Sequence, residues 1–328
     1  MSGKVIAVIG ATGAQGGGTV AALLNSDSDF TVRAISSNPA SPRAKALLLK
    51  HADMVLKGRL KMVKGDLKDQ SSLEKALKGA YGLFAAFPYL PETPAPGEPT
   101  EVELGKNLVN AAKACEIKHF VFSSLPNVRK ASNGRLTHVS HFDSKATIEE
   151  YARKELQTIT VLIPSVFYSN LRSPLYCDRA ADGTVVFRPP LKPTTLVRWV
   201  DDTHDIGMFA SAVFSKGPLH TGGRTYPIET PPTTFPQIAA QYQQITGEKA
   251  IFDPLSMEKA LELVSSRTGL GMIKEFEEMF LWLDAAPGDK AAYGTMDEKD
   301  TSSFEDLGVK ASTFEEFLER SGWRAVTH

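Results

Sequence analysis

Three observations predict an α/β fold, a Rossmann-type doubly wound parallel sheet with a smaller α+β C-terminal lobe. The chain opens on a short apolar run, Val5 to Ile9, that breaks into closely spaced glycines and then into a helix-compatible segment. Short apolar runs then alternate with amphipathic stretches as far as Pro164, the pattern of parallel strands joined by helical crossovers. Beyond Pro164 the pattern becomes irregular, with tyrosines, Phe187 and Trp199 scattered among prolines. The predicted division is a sheet domain over residues 1–163, with returning segments around 196–230, and a smaller, discontinuous lobe over 164–328.

Each element has a local reason. Val5–Ile9 reads as a buried strand feeding the turn Gly10-Ala11-Thr12-Gly13-Ala14-Gln15-Gly16, with Thr19 to Leu24 as the helix that follows. A side chain at Gly10 or Gly13 would block the turn or the approach of backbone to a pyrophosphate, and the helix would aim its free amides at that anion. Phe30–Ile35 is a second strand, and Ser36, Ser37 and Asn38 form its exit loop. Selectivity for NAD rests on an acidic residue at this place, whereas a 2′-phosphate wants hydroxyl or cationic donors. The loop has no Asp or Glu, so Ser36, Ser37, Asn38 and Arg43 favour NADP(H) over NAD(H). A helix through Ala44–Leu49 leads to strand Met62–Lys64 and then to Gly65-Asp66-Leu67. Asp66 either accepts from an adenine amino group or caps the helix that starts at Ser71.

Tyr81–Phe87 is an apolar strand whose carboxyl end, with Phe87 and Pro88, should face the reactive end of a cofactor, because ligands of open α/β sheets sit beyond the carboxyl ends of strands. Five prolines between Pro88 and Pro99 exclude helix and central strand there and predict a lid-like loop. Glu103–Ala112 is the next helix, His119–Ser124 a buried strand, and His141–Tyr151 a helix on which His141 and Lys145, four apart, share a face.

Composition bounds the function. The 328 residues carry 37 Lys and Arg against 38 Asp and Glu, a formal charge of −1 mixed along the chain, so no electrostatic footprint for nucleic acid or an anionic membrane is present. Cys115 and Cys177 are the only cysteines and are expected as free thiols in a reducing compartment. A strand begins within a few residues of Met1, and no apolar run approaches bilayer length, which predicts a cytoplasmic protein or one shared between cytoplasm and nucleus.

The glycine turn, Ser123-Ser124-Leu125-Pro126, the run His141-Phe142-Asp143-Ser144-Lys145 with Glu149-Glu150-Tyr151, Pro164 to Leu171, and Trp199 to Gly207 together resemble the NmrA-like family of atypical short-chain dehydrogenases. Phe314–Leu318 resembles that family's last helix. The resemblance implies NADP(H)-binding reductases, redox sensors and transcriptional co-regulators. It also implies that Gly10, Thr12, Gly13, Ala14, Gln15 and Gly16 hold the pyrophosphate, Asp66 and Leu67 the adenine end, and Lys145 the nicotinamide ribose, with Pro164, Val166, Phe167 and Tyr168 on the carboxamide side. The family's relatives place a Tyr-x-x-x-Lys on this helix, and here His141 stands at the tyrosine position. An imidazole is a competent acid or base near neutrality, so the catalytic candidates are His141, Lys145, Ser123 and, more weakly, Tyr168 and His138. The other reading of His141 is a helix-start residue tucked under a loop.

In the second half, a turn at Ala181–Thr184 and helices near Asp205–Phe214, Pro236–Ile245, Met257–Ser266 and Thr313–Arg320 are expected, with Asp205 capping the first. Asp201, Asp202 and His204 invite a metal, but no metal site is predicted. Two functions remain open on sequence: an NADP(H)-dependent oxidoreductase or cofactor-assisted isomerase acting on an apolar small molecule, with His141, Asp143 or Lys145 as acid or base, and a non-catalytic NADP(H) sensor acting through a regulatory protein partner. The oligomeric state is open.

Overall fold

The computed structural model describes residues 3–88, 97–297 and 303–328. Most of the proline-rich segment, residues 89–96, therefore lies outside the described residues, and the lid expected there with it. In chain order the strands are β1 (Lys4–Ile9), β2 (Phe30–Ser36), β3 (Leu60–Lys64), β4 (Gly82–Ala85), β5 (His119–Ser123), β6 (Ile159–Pro164), β7 (Val166–Phe167), β8 (Cys177–Arg179), β9 (Val185–Phe187), β10 (Trp199–Val200), β11 (Thr225–Ile228) and β12 (Ala250–Phe252). Seven of them form one parallel sheet in the order β11-β6-β5-β4-β1-β2-β3. The fold is the expected doubly wound, Rossmann-like one, and its strand order reverses between β1 and β4.

Strand alternation explains the two faces of the sheet. Ile6, Val8, Val32 and Phe84 pack on one side with Val20, Leu23, Leu24, Phe209, Val213 and Phe214. Ala7, Ile9, Leu83, Phe120 and Phe122 pack on the other with Leu104, Leu108, Ala112 and Ile148. Both faces are covered by helices, so these strands read as nearly continuous apolar runs. On the first face, helix Ala14–Asn25 lies against helix Asp205–Lys216 at backbone contact. A Cβ on Gly18 would come within 2.4 Å of the Thr203 carbonyl oxygen, and one on Gly207 within 2.3 Å of the Gly18 carbonyl oxygen. These two glycines let that helix pair close under the glycine turn.

The smaller lobe is more regular than its sequence suggests. β8 and β9 form an antiparallel hairpin through the expected turn at Gly183 (φ +87°), and β12 adds a parallel strand beside β9. Their core is aromatic, with Tyr168, Phe187, Trp199, Phe235, Tyr242, Phe280, Phe314, Phe317 and Trp323 all buried. β7 pairs with β10, and β11 extends the main sheet beside β6, so the chain crosses between the two cores more than once. Helix Ile273–Ala285 was not foreseen. Its apolar residues Phe276, Met279, Phe280 and Leu283 recur at helical spacing, and glycines at 269 and 271 and Pro287 bracket it.

Two expected caps are elsewhere. Asp69, not Asp66, caps helix Gln70–Leu77 by accepting from the backbone N–H of Ser71 and Ser72. Asp205 does not cap its own helix. Its carboxylate accepts from the Asp201 and Ser312 backbone N–H groups, at 2.9 Å each, and from the Ser312 hydroxyl. Asp201 accepts from Thr203 and from Arg320, so these carboxylates clasp the C-terminal segment. No group of three metal-ligating side chains occurs among the described residues, and no helix among them is long and apolar enough to cross a membrane. Cys115 and Cys177 are free, and burial pushes the Cys177 thiol up to about 12.

Candidate active site

The carboxyl edge of the sheet carries the site. At its centre the turn after β1 leaves the strand through Gly10, whose φ of +75° favours glycine. A Cβ there would also sit 2.5 Å from the Ala86 carbonyl oxygen, at the point where the strand order reverses. The N–H of Gly13 donates to the Gly10 carbonyl at 2.9 Å and closes the turn, and a Cβ on Gly16 would strike the Gly10 carbonyl carbon and oxygen. Helix Ala14–Asn25 then starts at Gly13 with no side-chain cap and no acidic residue in its first turn. Its first amides are thus left for an anion. Gly13 and Ala14 are exposed, and Thr12 and Gln15 are half-buried.

At one side of this turn, beyond β2 and β3, Ser37, Asn38 and Arg43 are exposed and Ser36 is half-buried. Ser36 accepts from the Asn38 N–H, Asn38 accepts from Ala40, and Ser41 caps helix Pro42–Lys50, which carries Arg43. The Gly65 N–H donates to the Ser36 carbonyl at 3.0 Å, which brings Asp66 and Leu67 alongside. Asp66 accepts from the Lys68 N–H at 3.0 Å, and the Leu67 carbonyl accepts from Asn107 at 2.9 Å.

At the other side lies a cavity of about 290 Å³. Gln15, Phe87, Ser123, His141, Lys145, Pro164, Val166 and Phe167 all line it, so eight of the predicted site residues converge there. Ser123 donates to the Gln15 side-chain oxygen at 2.7 Å, which ties the end of β5 to the glycine turn. Pro88 is exposed beside Phe87, and Phe87 packs edge-on to Phe122. Tyr168 does not join this group. It is stacked parallel to Trp199 and against Phe314 and Phe317, and burial pushes its phenol well above the usual range. It borders a separate cleft of about 880 Å³ that shares no lining residue with the cavity, so Tyr168 serves packing, because the parallel ring stack fixes it in the lobe core.

Helix Ile273–Ala285 supplies the cavity's far wall through Phe276, Met279 and Leu283, and it supplies two carboxylates that sequence reasoning missed. Helix Ser140–Glu155 has no cap of its own, since Val139 precedes it. Glu275 provides one from outside: it accepts from the Ser140 hydroxyl at 2.8 Å, from the His141 N–H at 3.0 Å, and from His141 Nδ1. One turn on, Glu278 accepts from the N–H groups of Thr137 and His138 and from His138 Nδ1, at 2.6, 2.7 and 2.8 Å. Burial works against the Glu278 charge, yet these donors hold its carboxyl below the usual range. The carboxylate at Nδ1 of His141 makes that nitrogen the donor of the pair. Asp143 has a structural task, accepting from the N–H groups of Val128 and Arg129 to cap helix Val128–Ala131.

Lys145 is 8% exposed and donates from Nζ to Glu101 at 2.7 Å and to the His141 carbonyl at 3.4 Å. Glu101 opens helix Glu101–Ala114, which starts two residues earlier than expected because Thr100 and Glu103 form a capping box. That Thr-x-x-Glu signature is visible in sequence and could have placed Glu101 at the first helical position. Tyr293 also lines the cavity. It and Ala292 adopt left-handed φ values of +56° and +49°, strained for non-glycine residues. Burial pushes the Tyr293 phenol up, which keeps it an un-ionised donor.

A glycine turn with an uncapped helix at the switch point of a parallel sheet, flanked by a cavity that holds an imidazole and an ammonium, defines a Rossmann-type protein of the short-chain dehydrogenase kind. The chain belongs to the NmrA-like family, which residues 2–318 match. It is 31% identical over 268 residues to the NmrA-like family domain-containing oxidoreductase FrzB of a Cladobotryum species, covering 76% of each chain. Its fold is similar to that of NmrA, a negative transcriptional regulator, in complex with NAD (TM-score 0.77, 20% identity, 99% of both chains) and with NADP (0.75, 20%, 98% and 99%). It is also similar to the NADPH-dependent quinone oxidoreductase QOR2 of Escherichia coli complexed with NADPH (0.69, 20%, 97% and 100%). At these identities the solved structures speak to the fold alone.

Proposed function

We propose that this protein is an NADP(H)-dependent oxidoreductase that reduces an apolar small molecule bearing a carbonyl or imine group. The observation that carries this reading is the cavity of about 290 Å³, walled by Phe87, Phe142, Phe167, Phe276, Met279 and Leu283, with His141, Lys145, Gln15, Ser123, Ser165 and Asn170 as polar groups in a mainly apolar lining. A sensor acting through a protein partner needs no such chamber. The residues fit a dinucleotide: Gly10, whose Cβ would fill the turn, and the uncapped start of helix Ala14–Asn25 suit a pyrophosphate held by Thr12, Gly13, Ala14, Gln15 and Gly16. Ser36, Ser37, Asn38 and Arg43 would take a 2′-phosphate, Asp66 and Leu67 the adenine end, and Phe87, Pro88, Pro164, Val166 and Phe167 the nicotinamide end. When bound there, the cofactor supplies a hydride.

The chain's own part is to exclude water and to provide the proton. His141, held through Nδ1 by Glu275, delivers it from Nε2 to the substrate oxygen or nitrogen as charge develops there. Lys145 is a second proton donor beside it. Ser123, anchored to Gln15, orients the substrate heteroatom.

The test is a panel of apolar aldehydes, quinones and cyclic imines incubated with the full-length protein and NADPH, followed by loss of the reduced-nicotinamide absorbance. Turnover of any panel member that responds to pH supports the reading. A protein that binds NADPH and turns over none of them points instead to the sensor. Calorimetric titration should show NADPH bound more tightly than NADH, with Arg43→Ala narrowing the gap; equal affinities would remove the argument from the β2 exit loop.

A further inference from the structure

The hydroxyls of the cavity are not alike. Four of them line it, on Ser123, Ser124, Ser165 and Tyr293. Ser123 donates to the Gln15 side chain at 2.7 Å, Ser124 to the Leu125 carbonyl at 3.4 Å, and Ser165 to Glu229 at 3.1 Å. The Tyr293 hydroxyl has no hydrogen-bond partner among the described residues. Nor is its oxygen one of the unpaired polar atoms sealed away from solvent, as Trp282 Nε1 on the roof helix is.

The backbone that carries this ring is held in a costly conformation. Ala292, Tyr293 and Gly294 follow one another with φ of +49°, +56° and +81°. Such values suit glycine, so position 293 would be unstrained as glycine and carries a tyrosine instead. The turn is fixed from several sides. The Ala292 N–H donates to Glu229 at 3.1 Å, the carboxylate that also holds Ser165 and lies 3.5 Å from Arg198. The Thr295 hydroxyl donates to the Ala292 carbonyl at 2.7 Å, and Ala291 and Met296 exchange backbone hydrogen bonds at 2.8 and 3.1 Å. The Tyr293 ring packs edge-on to Phe142 with centroids 4.9 Å apart. A phenylalanine would make that contact equally well and leave no polar group unpaired. Packing therefore accounts for the ring and not for the hydroxyl.

We propose that Tyr293 is a specificity-determining residue of the cavity, its hydroxyl donating a hydrogen bond to an acceptor oxygen that the substrate carries in addition to the carbonyl or imine being reduced. This rests on the reductase reading of the cavity. The groups assigned to the reacting atom come from helix Ser140–Glu155 and from the end of β5. Tyr293 enters on a separate element, the turn after the roof helix Ile273–Ala285. The class of substrate this selects is an apolar compound with two hydrogen-bonding groups, one that reacts and one that is only held. Burial pushes the Tyr293 phenol up, so it stays protonated and able to donate throughout the neutral range. A donor on a backbone held this firmly loses little freedom when a ligand binds.

Two aldehydes of similar size separate the hydroxyl from the ring. Methyl 4-formylbenzoate carries an ester carbonyl across the ring from its aldehyde, and 4-isopropylbenzaldehyde has no acceptor there. Each is titrated into the full-length protein with NADP⁺, which supplies no hydride, and the dissociation constant is read from ligand NMR line widths. Tyr293→Phe removes one oxygen atom and keeps the ring. It should weaken binding of the ester by about three- to tenfold, the worth of one neutral hydrogen bond, and leave the isopropyl compound unchanged. The variant should melt no lower than the wild type, since its hydroxyl has no partner in the protein to lose. With NADPH, the KM for the ester should rise in the variant while kcat stays the same.

Unchanged binding of the ester, or no binding of it to the wild type, would overturn the proposal. Equal weakening of both aldehydes would overturn it as well, since the loss would then be one of packing, and so would a lower melting temperature, since the hydroxyl would then be structural. The expected difference in binding without any oxidation of NADPH would retire the reductase reading and leave Tyr293 standing as a ligand contact.

Discussion

His141 takes its role from contacts that its place in the sequence does not disclose. Its position four residues before Lys145 was enough to nominate it, but its ring nitrogen meets Glu275, 134 residues away, and that carboxylate decides which nitrogen carries the proton. Replacing it by phenylalanine should keep NADPH affinity and the fold. Glu275 would lose one of its donors, at a cost of about 1–3 kcal/mol in denaturant unfolding. Turnover on a reactive panel member should fall by about 10²–10⁴-fold, the usual worth of a positioned proton donor. A mutant with full turnover would return His141 to the status of a helix-start residue and pass the acid role to Lys145. At this scale the sequence showed Gly10, Gln15, Ser123, Lys145 and Pro164, because local motifs carry them. It did not show Glu101 or Glu275, because a carboxylate at a helix start or on a roof helix looks like any solvated one until its partner is known.

Helix Ile273–Ala285 is the element on which the site's closure depends. Its two glutamates, one turn apart, cap helix Ser140–Glu155 from outside, so the roof of the cavity and the helix bearing His141 and Lys145 are fastened by the same side chains. Hydrogen bonds to the charged form depress the Glu278 carboxyl, so its contribution to stability is present in full above the unfolded value near 4.5 and is lost as pH falls through the lower folded value. Glu278→Gln should therefore be less stable than the wild type at pH 6–7, by about 1–3 kcal/mol. The difference should shrink as the pH is lowered below about 4.5 and the wild-type carboxyl takes up its proton. Melting curves of both proteins across that range check it, and a gap that widens toward acid would contradict the assigned sign. The helix was missed because its apolar spacing sits in a half whose prolines and aromatics suggested loops.

Across the whole molecule, two cores are stitched together by segments that cross between them. β11 completes the main sheet, β10 pairs with β7, and the C-terminal helix Phe314–Ser321 lays Phe314 and Phe317 against Tyr168. Asp205 and Asp201 hold that end of the chain through Ser312 and Arg320. Phe317 is 2% exposed, so Phe317→Ala should cost about 3–5 kcal/mol by the loss of buried ring and the cavity it leaves. Chemical denaturation measures that loss, and NADPH titration of the folded fraction should be unchanged, since the substitution lies in the lobe core and not along the glycine turn. A matching loss of NADPH affinity would show that the C-terminal helix supports the cofactor side as well.

By itself the sequence determined the parallel doubly wound sheet, the glycine turn at its switch point, the family, and the pairing of His141 with Lys145 on one helix face. Each of these follows from spacing along the chain: apolar runs of strand length, a strand-to-helix turn that admits no Cβ, and residues four apart on a helix. Tertiary structure alone decided that Tyr168 belongs to an aromatic stack, that Asp143 and Asp205 accept from backbone N–H groups distant in sequence, and that Glu275 and Glu101 pair with His141 and Lys145. Those outcomes depend on burial or on partners far off along the chain, such as Glu275 at 134 residues from His141, and a carboxylate or an aromatic ring acquires its role only from the partner that packing brings to it.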